Sequence, residues 1–396
     1  MSGGVAPAVK GWCPGALRPM ESGDGLVARV RPWIGAFTLT QASALADIAE
    51  RLGNGHLELT RRANLQIRGL RQEALPELHA ALNALGLLDR DVATEAARNI
   101  MVAPLAGLDA GAVDIRPLAR ELTAILAADR QLAALPAKFG WLVDGGGIAS
   151  IAGERADIAL CARGDRVALR LDTRWVGIGT PDQAMAAALS AARAFLALGA
   201  CNRMRKLSDA HWRAVRAAMV PALSPIDDIE LGRTRPLGLL PAATGLAAPF
   251  GEIDVAQLRG VVALAAGAGA SELRLSPWRI LYIGARGDRR LLDAASDLGL
   301  IVDPADPLLR VDACPGAPSC NAATVDSRAA ARWLAAHGAT GTVHVSGCAK
   351  GCARSAPADL VLVGEAGRYH VVRRGTTHDI PEGTIQSNEL RAVLHG

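Results

Sequence analysis

Aromatic residues are scarce in this chain of 396 residues, which holds seven Trp, two Tyr and four Phe. Its core must be built from aliphatic side chains and alanine, a composition that favours many closely packed helices. A surplus of one charge is also missing. The 43 Lys and Arg against 39 Asp and Glu leave a net charge of +4, too little for the dense basic face of a nucleic-acid binder. No stretch approaches the ~18 apolar residues of a membrane span, and the opening MSGGVAPAVKGW lacks the apolar centre of a secretory leader. The chain is therefore read as cytoplasmic, with neither nucleic acid nor membrane as partner. In that compartment seven cysteines stay reduced, and metal or redox use is a better expectation than a disulfide framework.

What the chain does have is a repeat. His56-Leu-Glu-Leu-Thr-Arg-Arg-Ala-Asn-Leu-Gln-Ile67 and Glu272-Leu-Arg-Leu-Ser-Pro-Trp-Arg-Ile-Leu-Tyr-Ile283 align without gaps. Both read Leu-x-Leu-Ser/Thr, then four residues, then Leu-x-Ile. Each copy follows a helical pattern, with Ala44, Leu45, Ile48, Ala49 and Leu52 ending at Gly53, and Leu258, Val261, Val262, Leu264 and Ala265 ending before Gly267 and Gly269. Matching strand signals open the copies, Arg29-Val-Arg-Pro32 and Arg233-Thr-Arg-Pro236. Between them the pattern predicts a strand at 98–102, helices near 117–135 and 182–200, and strands around 157–161 and 166–171. Pro221 to Pro241 reads as a linker, and residues 306–396 as a second α/β lobe. The fold class is α/β (α+β), ordered half-domain, lobe, half-domain, lobe, with boundaries at 1–84, 85–220, 221–304 and 305–396.

Four cysteines occupy two loop sequences, Cys314-Pro-Gly-Ala-Pro-Ser-Cys320 and Cys348-Ala-Lys-Gly-Cys352. Prolines and glycines break regular structure there, as a tetrahedral ligand set requires. The first gap is long for a zinc knuckle, while an iron–sulfur cube tolerates it. Zinc and free structural thiols remain the alternatives. Cys161 and Cys201 lie among apolar neighbours and read as core residues. Cys13 reads either as a buried structural thiol or as a group facing a pocket. Arg61, Arg62, Arg98 with Asn99, Lys138 and Arg279 stand on predicted loops and element ends. Together with a redox centre they point to a polyanionic small molecule, because the guanidinium fork matches carboxylates.

These features resemble the sirohaem-dependent nitrite and sulfite reductases. The resemblance rests on the paired cysteine motif, the duplicated unit and Thr60-x-Arg62-x-x-x-Gln66, and continues through Arg98-Asn99, Pro104-Leu-Ala-Gly107 and Leu135-Pro-x-Lys138-Phe139. It implies two paired ferredoxin-like half-domains and two α/β lobes. It also implies a [4Fe-4S] cluster on Cys314, Cys320, Cys348 and Cys352. Two departures matter: the reductases carry a second lysine in a Lys-Phe-Lys pattern, where this chain has Gly140, and the chain is short for an assimilatory reductase. With Gly11-Trp-Cys-Pro-Gly15, Pro19-Met-x-Ser-Gly-Asp-Gly25 and Ser276-Pro-Trp-Arg279, the chain is more similar to the precorrin-3B synthase branch of that superfamily.

That branch implies an O2-dependent monooxygenation of precorrin-3A at C20 with γ-lactone formation, in aerobic cobalamin biosynthesis. The cluster serves as electron relay, a mononuclear non-haem iron is expected, and NADH is the ultimate donor. The eight scattered histidines offer no two-His-one-carboxylate motif for that iron. Arg62, Arg98 and Lys138 correspond to carboxylate-binding positions, with Arg279, Arg61, Asn64, Gln66 and Asn99 as neighbours. Gly267-Ala-Gly269 follows a helix, the wrong order for a dinucleotide fingerprint, so a separate reductase or ferredoxin is the expected electron partner. The alternative reading is a sirohaem sulfite or nitrite reductase.

Overall fold

The computed structural model describes residues 12–394 apart from Glu230 and Arg233. In it the Thr60 hydroxyl accepts hydrogen bonds from the amides of Arg62 and Asn64, each at 3.2 Å. The Ser276 hydroxyl does the same for Trp278 and Ile280, at 3.4 and 3.2 Å. Each closes a turn between antiparallel strands, His56–Leu59 with Leu65–Leu70 and Glu272–Leu275 with Ile280–Ile283. Ala63 and Arg279 take the same place in the two turns, and both adopt left-handed φ, 52° and 64°. That conformation is costly for residues with a Cβ. The Ser/Thr of the repeat is thus explained: its hydroxyl ties down two turn amides.

The helices before these hairpins are duplicated as well. Leu39–Leu52 begins in a capping box formed by Thr38 and Gln41, and Val255–Gly267 in one formed by Asp254 and Gln257. Both glutamines reach on to a carbonyl beyond, Gln41 to Leu85 at 3.0 Å and Gln257 to Leu298 at 2.8 Å. Gly53 ends the first helix as expected, whereas the second runs through Gly267. The two helices pack on each other.

Two five-stranded antiparallel sheets result, and each borrows its last strand from the other repeat. The first runs Met20–Ser22, Gly25–Val30, Leu65–Leu70, His56–Leu59, Glu252–Asp254; the second runs Gly238–Leu239, Thr244–Ala247, Ile280–Ile283, Glu272–Leu275, Ala36–Thr38. Ala36–Thr38 therefore pairs with Glu272–Leu275, and Glu252–Asp254 pairs with His56–Leu59. Leu45, Leu57, Ile67, Leu258, Leu273 and Ile283 share one buried cluster across the exchange.

One expectation is corrected. The counterpart of Gly25–Val30 in the second repeat is Thr244–Ala247, not residues 233–236. Arg233 lies outside the described residues, and 234–237 are irregular. The place beside Ile280–Ile283 is taken by Thr244–Ala247, while the Pro236 carbonyl accepts the Tyr282 hydroxyl at 2.8 Å. Proline has no amide to give a ladder.

The lobes repeat each other too. The first orders Ile100–Val102, Trp141–Asp144, Ile158–Arg163, Arg166–Leu171 and Arg174–Gly179; the second orders Val311–Ala313, Val343–Ser346, Ala358–Glu365, Arg368–Gly375 and Gly383–Gln386. In both, two parallel pairings are followed by two antiparallel ones. Helices Arg116–Ala128 and Pro181–Leu198 cover the first sheet, and Ser327–Ala336 packs on the second. No helix among the described residues is long and apolar enough to cross a membrane. Ser276→Ala leaves two turn amides without their acceptor, so we expect a loss of about 1–3 kcal/mol of stability, read as a lower urea midpoint with an unchanged far-UV spectrum.

Candidate functional site

The cysteine loops leave the carboxyl ends of two adjacent parallel strands. Val311–Ala313 runs directly into Cys314, and Val343–Ser346 is followed by Gly347 and Cys348. Loops at such strand ends converge, which is why open α/β sheets bind ligands there. Cys314 is buried, and its Sγ accepts the Gly347 amide at 3.1 Å. Cys320 and Cys348 are half-buried and Cys352 is exposed. All seven cysteines are free thiols. Burial raises the Cys348 and Cys352 pKa values, and neighbouring Cys314 and Cys320 push both the same way. The four thiols thus share one space. Among the described residues, no three His, Cys, Asp or Glu side chains gather closely enough to hold a metal ion. Four free thiols gathered at these strand ends are candidate metal ligands.

Of the other cysteines, Cys161 is fully buried in the first lobe and its thiol is pushed up to about 12 by burial. Cys201 is only partly buried and donates to the Arg203 carbonyl. Cys13 lies beside Arg29.

The basic residues form two groups. In the first, Arg62 donates to the Arg155 carbonyl at 2.8 Å. Burial lowers its pKa, and Arg203 nearby lowers it further. Asn99 donates from Nδ2 to the Phe139 carbonyl at 3.1 Å. Lys138 is half-buried and makes no hydrogen bond or ion pair with any described residue. Gly140 lies among them, its amide held by Asp157 at 2.9 Å. A Cβ there stands 3.0 Å from Arg62 Nη1 and 3.5 Å from Asn99 Nδ2. A side chain at position 140 would lie against the Arg62 guanidinium, which would have to give by a few tenths of an ångström. Gln66 is used at both ends of its amide, accepting Arg29 at 2.8 Å and donating to Glu58 at 3.0 Å.

In the second group, Asp312 is shared by three arginines. Arg61 pairs closely, Arg354 lies at 3.1 Å and Arg279 at 3.5 Å. Burial lowers the Arg279 pKa to about 10, and its Nε is buried without a partner. His344, the register partner of Asp312, is fully buried with both ring nitrogens unpartnered and is pushed down to about 4 by burial. Asn64 is buried in the turn between the groups, its Nδ2 unpartnered.

Arg98 stands apart from both. It is 4% exposed and pairs with Asp89 at 2.8 Å through two nitrogens. Its guanidinium stacks 3.8 Å over the Trp33 ring and also donates to the Arg31 carbonyl. These contacts commit it to holding the first lobe on the half-domain. Arg31 behaves alike, in a buried pair with Glu95 at 3.2 Å. Burial pushes Glu95 up, although Arg31 and two amides pull the other way, and Arg31 falls to about 10. Asp89 and Glu95 are thus both engaged by arginines. Arg29, Arg203, Arg354 and Asp312 are site residues that the sequence reading passed over. Arg29 was visible only as part of a strand signal, and Arg354 only by its place two residues beyond Cys352.

Several known proteins are similar to this chain. The nitrite/sulfite reductase ferredoxin-like half domain matches residues 18–85. A solved structure of Mycobacterium tuberculosis NirA superposes with a TM-score of 0.74 at 20% identity, covering 92% of this chain and 78% of that one. A ferredoxin–nitrite reductase of Synechococcus elongatus is 36% identical, but over only 36% of this chain and 29% of its own. A precorrin-3B synthase of Sinorhizobium is 30% identical over 99% of this chain and 89% of its own length. With a relative matched from end to end and the fold of the reductases beneath it, the chain belongs to the precorrin-3B synthase family of the nitrite/sulfite reductase superfamily.

Proposed function

We propose that this chain is a monooxygenase acting on precorrin-3A in aerobic cobalamin biosynthesis. One atom of O2 enters at C20 as a hydroxyl and the other leaves as water. Two electrons come ultimately from NADH through a separate reductase or ferredoxin, and the ring-A acetate closes a γ-lactone. The observation that supports this reading is the end-to-end match to a precorrin-3B synthase, with Gly140 beside Arg62 where the reductases carry a lysine. Position 140 offers no ammonium to a substrate anion, while the arginine beside it remains to grip a carboxylate. A sirohaem-dependent sulfite or nitrite reductase is the second reading, favoured by the partial nitrite reductase matches.

A [4Fe-4S] cluster held by Cys314, Cys320, Cys348 and Cys352 supplies single electrons when bound. The chain's own task is to bind and orient the macrocycle. Arg62 and Lys138 grip its carboxylates on one side, and Arg61 with Arg279 on the other. Asn99 holds the Phe139 carbonyl next to Gly140, Asn64 offers an unpartnered Nδ2, and Gln66 steadies Arg29. Arg98 contributes from behind, by fixing the lobe that carries Asn99. Desolvation at Arg62 and Arg279 strengthens each pairing with a carboxylate, worth roughly 1.5–3 kcal/mol per charged hydrogen bond. No step is assigned to a mononuclear iron.

Anaerobically purified protein with precorrin-3A, O2 and a reductant should form the hydroxylated lactone; a sirohaem Soret band in the purified protein instead supports the reductase reading. Arg62→Met should lower kcat/KM by roughly 10–150-fold, mainly through KM, as one charged pairing is lost. Gly140→Lys should displace Arg62 and depress lactone formation as much as Arg62→Met does; full activity in that variant rules out the assigned role. Cys320→Ala should abolish acid-labile sulfide and turnover together, and turnover without sulfide removes the relay from the reading.

A further inference from the structure

The carbonyl of Ser319, the residue before Cys320, accepts three hydrogen bonds. They come from the Gly23 amide at 3.2 Å, the Ser22 hydroxyl at 2.7 Å and Arg68 Nη2 at 2.8 Å. All three donors belong to the first sheet, far away in sequence. A carbonyl has two lone pairs, so three donors saturate it and leave its peptide plane little freedom. Arg68 is itself fixed: it is 4% exposed, with Asp24 at 2.9 and 2.8 Å and Glu58 at 3.2 Å.

A separate observation shows how close the approach is. A Cβ on Gly23 lies 2.4 Å from the Pro318 carbonyl and 2.9 Å from the Cys320 amide. The hairpin backbone is pressed against the loop on both sides of Ser319, and only glycine fits. The Asn321 amide group returns to the Ser22 carbonyl at 3.4 Å. Cys314 needs no such help, since it is buried at a strand end with the Gly347 amide on its sulfur. Cys320 is half-buried in a segment with no regular structure, so its direction is set from outside.

We infer that Arg68 and the Ser22–Gly23 hairpin are a positioning clamp, which fixes the Ser319–Cys320 peptide and aims the Cys320 thiolate at the iron–sulfur centre. The inference rests on the cluster reading above. Groups behind metal ligands control both retention of the metal and its potential. Arg68 does both, holding the peptide and placing a fixed positive charge next to it.

The test uses the full-length protein, purified anaerobically, with Ser22→Ala, Gly23→Ala, Arg68→Met and Arg68→Lys. Iron, acid-labile sulfide, the rate of iron release to a ferrous chelator and the cluster midpoint potential are measured. Gly23→Ala should release iron about tenfold faster or more, the scale of outer-shell effects on metal affinity. Ser22→Ala, a single hydroxyl deletion that spares the fold, should do so several-fold. Arg68→Met should lower the midpoint potential. Arg68→Lys should restore the potential but not the slow release, because one ammonium cannot replace the fork that serves Ser319, Ser22 and Asp24 together. Wild-type release rates and potential in every variant, at full iron content, overturn the clamp alone. Wild-type protein without acid-labile sulfide overturns the clamp and the cluster reading together.

Discussion

The Glu58 carboxylate holds this molecule together. It is buried, and burial alone would raise its pKa; Arg328 and Arg68 outweigh that and keep it below the ordinary carboxylate range. Arg328 comes from the second lobe and also pairs with Glu252 at 2.8 Å, the strand neighbour of Glu58 in the other repeat. Arg68 leads to the Cys320 loop, and Gln66 leads to Arg29. One side chain therefore joins the exchanged strand, the lobe bearing the cysteines and the basic residues around Arg62. A buried ion pair adds little net stability by itself, but removing one partner leaves an uncompensated charge. Placing it here makes the relative position of three elements an all-or-none property.

The repeat was legible because it carries a local constraint: the Thr60 and Ser276 hydroxyls tie turn amides, so the residue type persists in both copies. The cysteine set was legible because its loop chemistry is unusual. The exchange of Ala36–Thr38 and Glu252–Asp254 was not, since strands of three residues have no periodicity to read and their partners are non-local. Arg98 shows the limit for charged residues. Sequence gives the guanidinium, but only the fold brings Asp89 and Trp33 around it. Pro236 misled the placement of a strand because Arg-x-Arg-Pro matched the first repeat while the ladder lay further on, at Thr244–Ala247.

Duplication supplied two similar frames that now do different work. Where the first turn presents Arg62, the second presents Trp278, whose indole donates to Glu154 at 2.8 Å in the first lobe. Where the first has Ala63, the second has Arg279, aimed at Asp312. The same left-handed residue thus points a methyl in one copy and a guanidinium in the other. The basic groups lie on unlike sides because the repeats diverged in the residues following the hydroxyl, not in the turn itself.

The exchanged edges have a consequence during synthesis. Ala36–Thr38 has no ladder partner until residue 275 has left the ribosome, and the edge at His56–Leu59 stays open until residue 254 does. The first repeat therefore waits with unpaired backbone through the making of an entire lobe. An open edge invites pairing with another chain. The first lobe and its tether, pinned through Ser224 to Ile178, lie between the two repeats and make each the other's intramolecular partner.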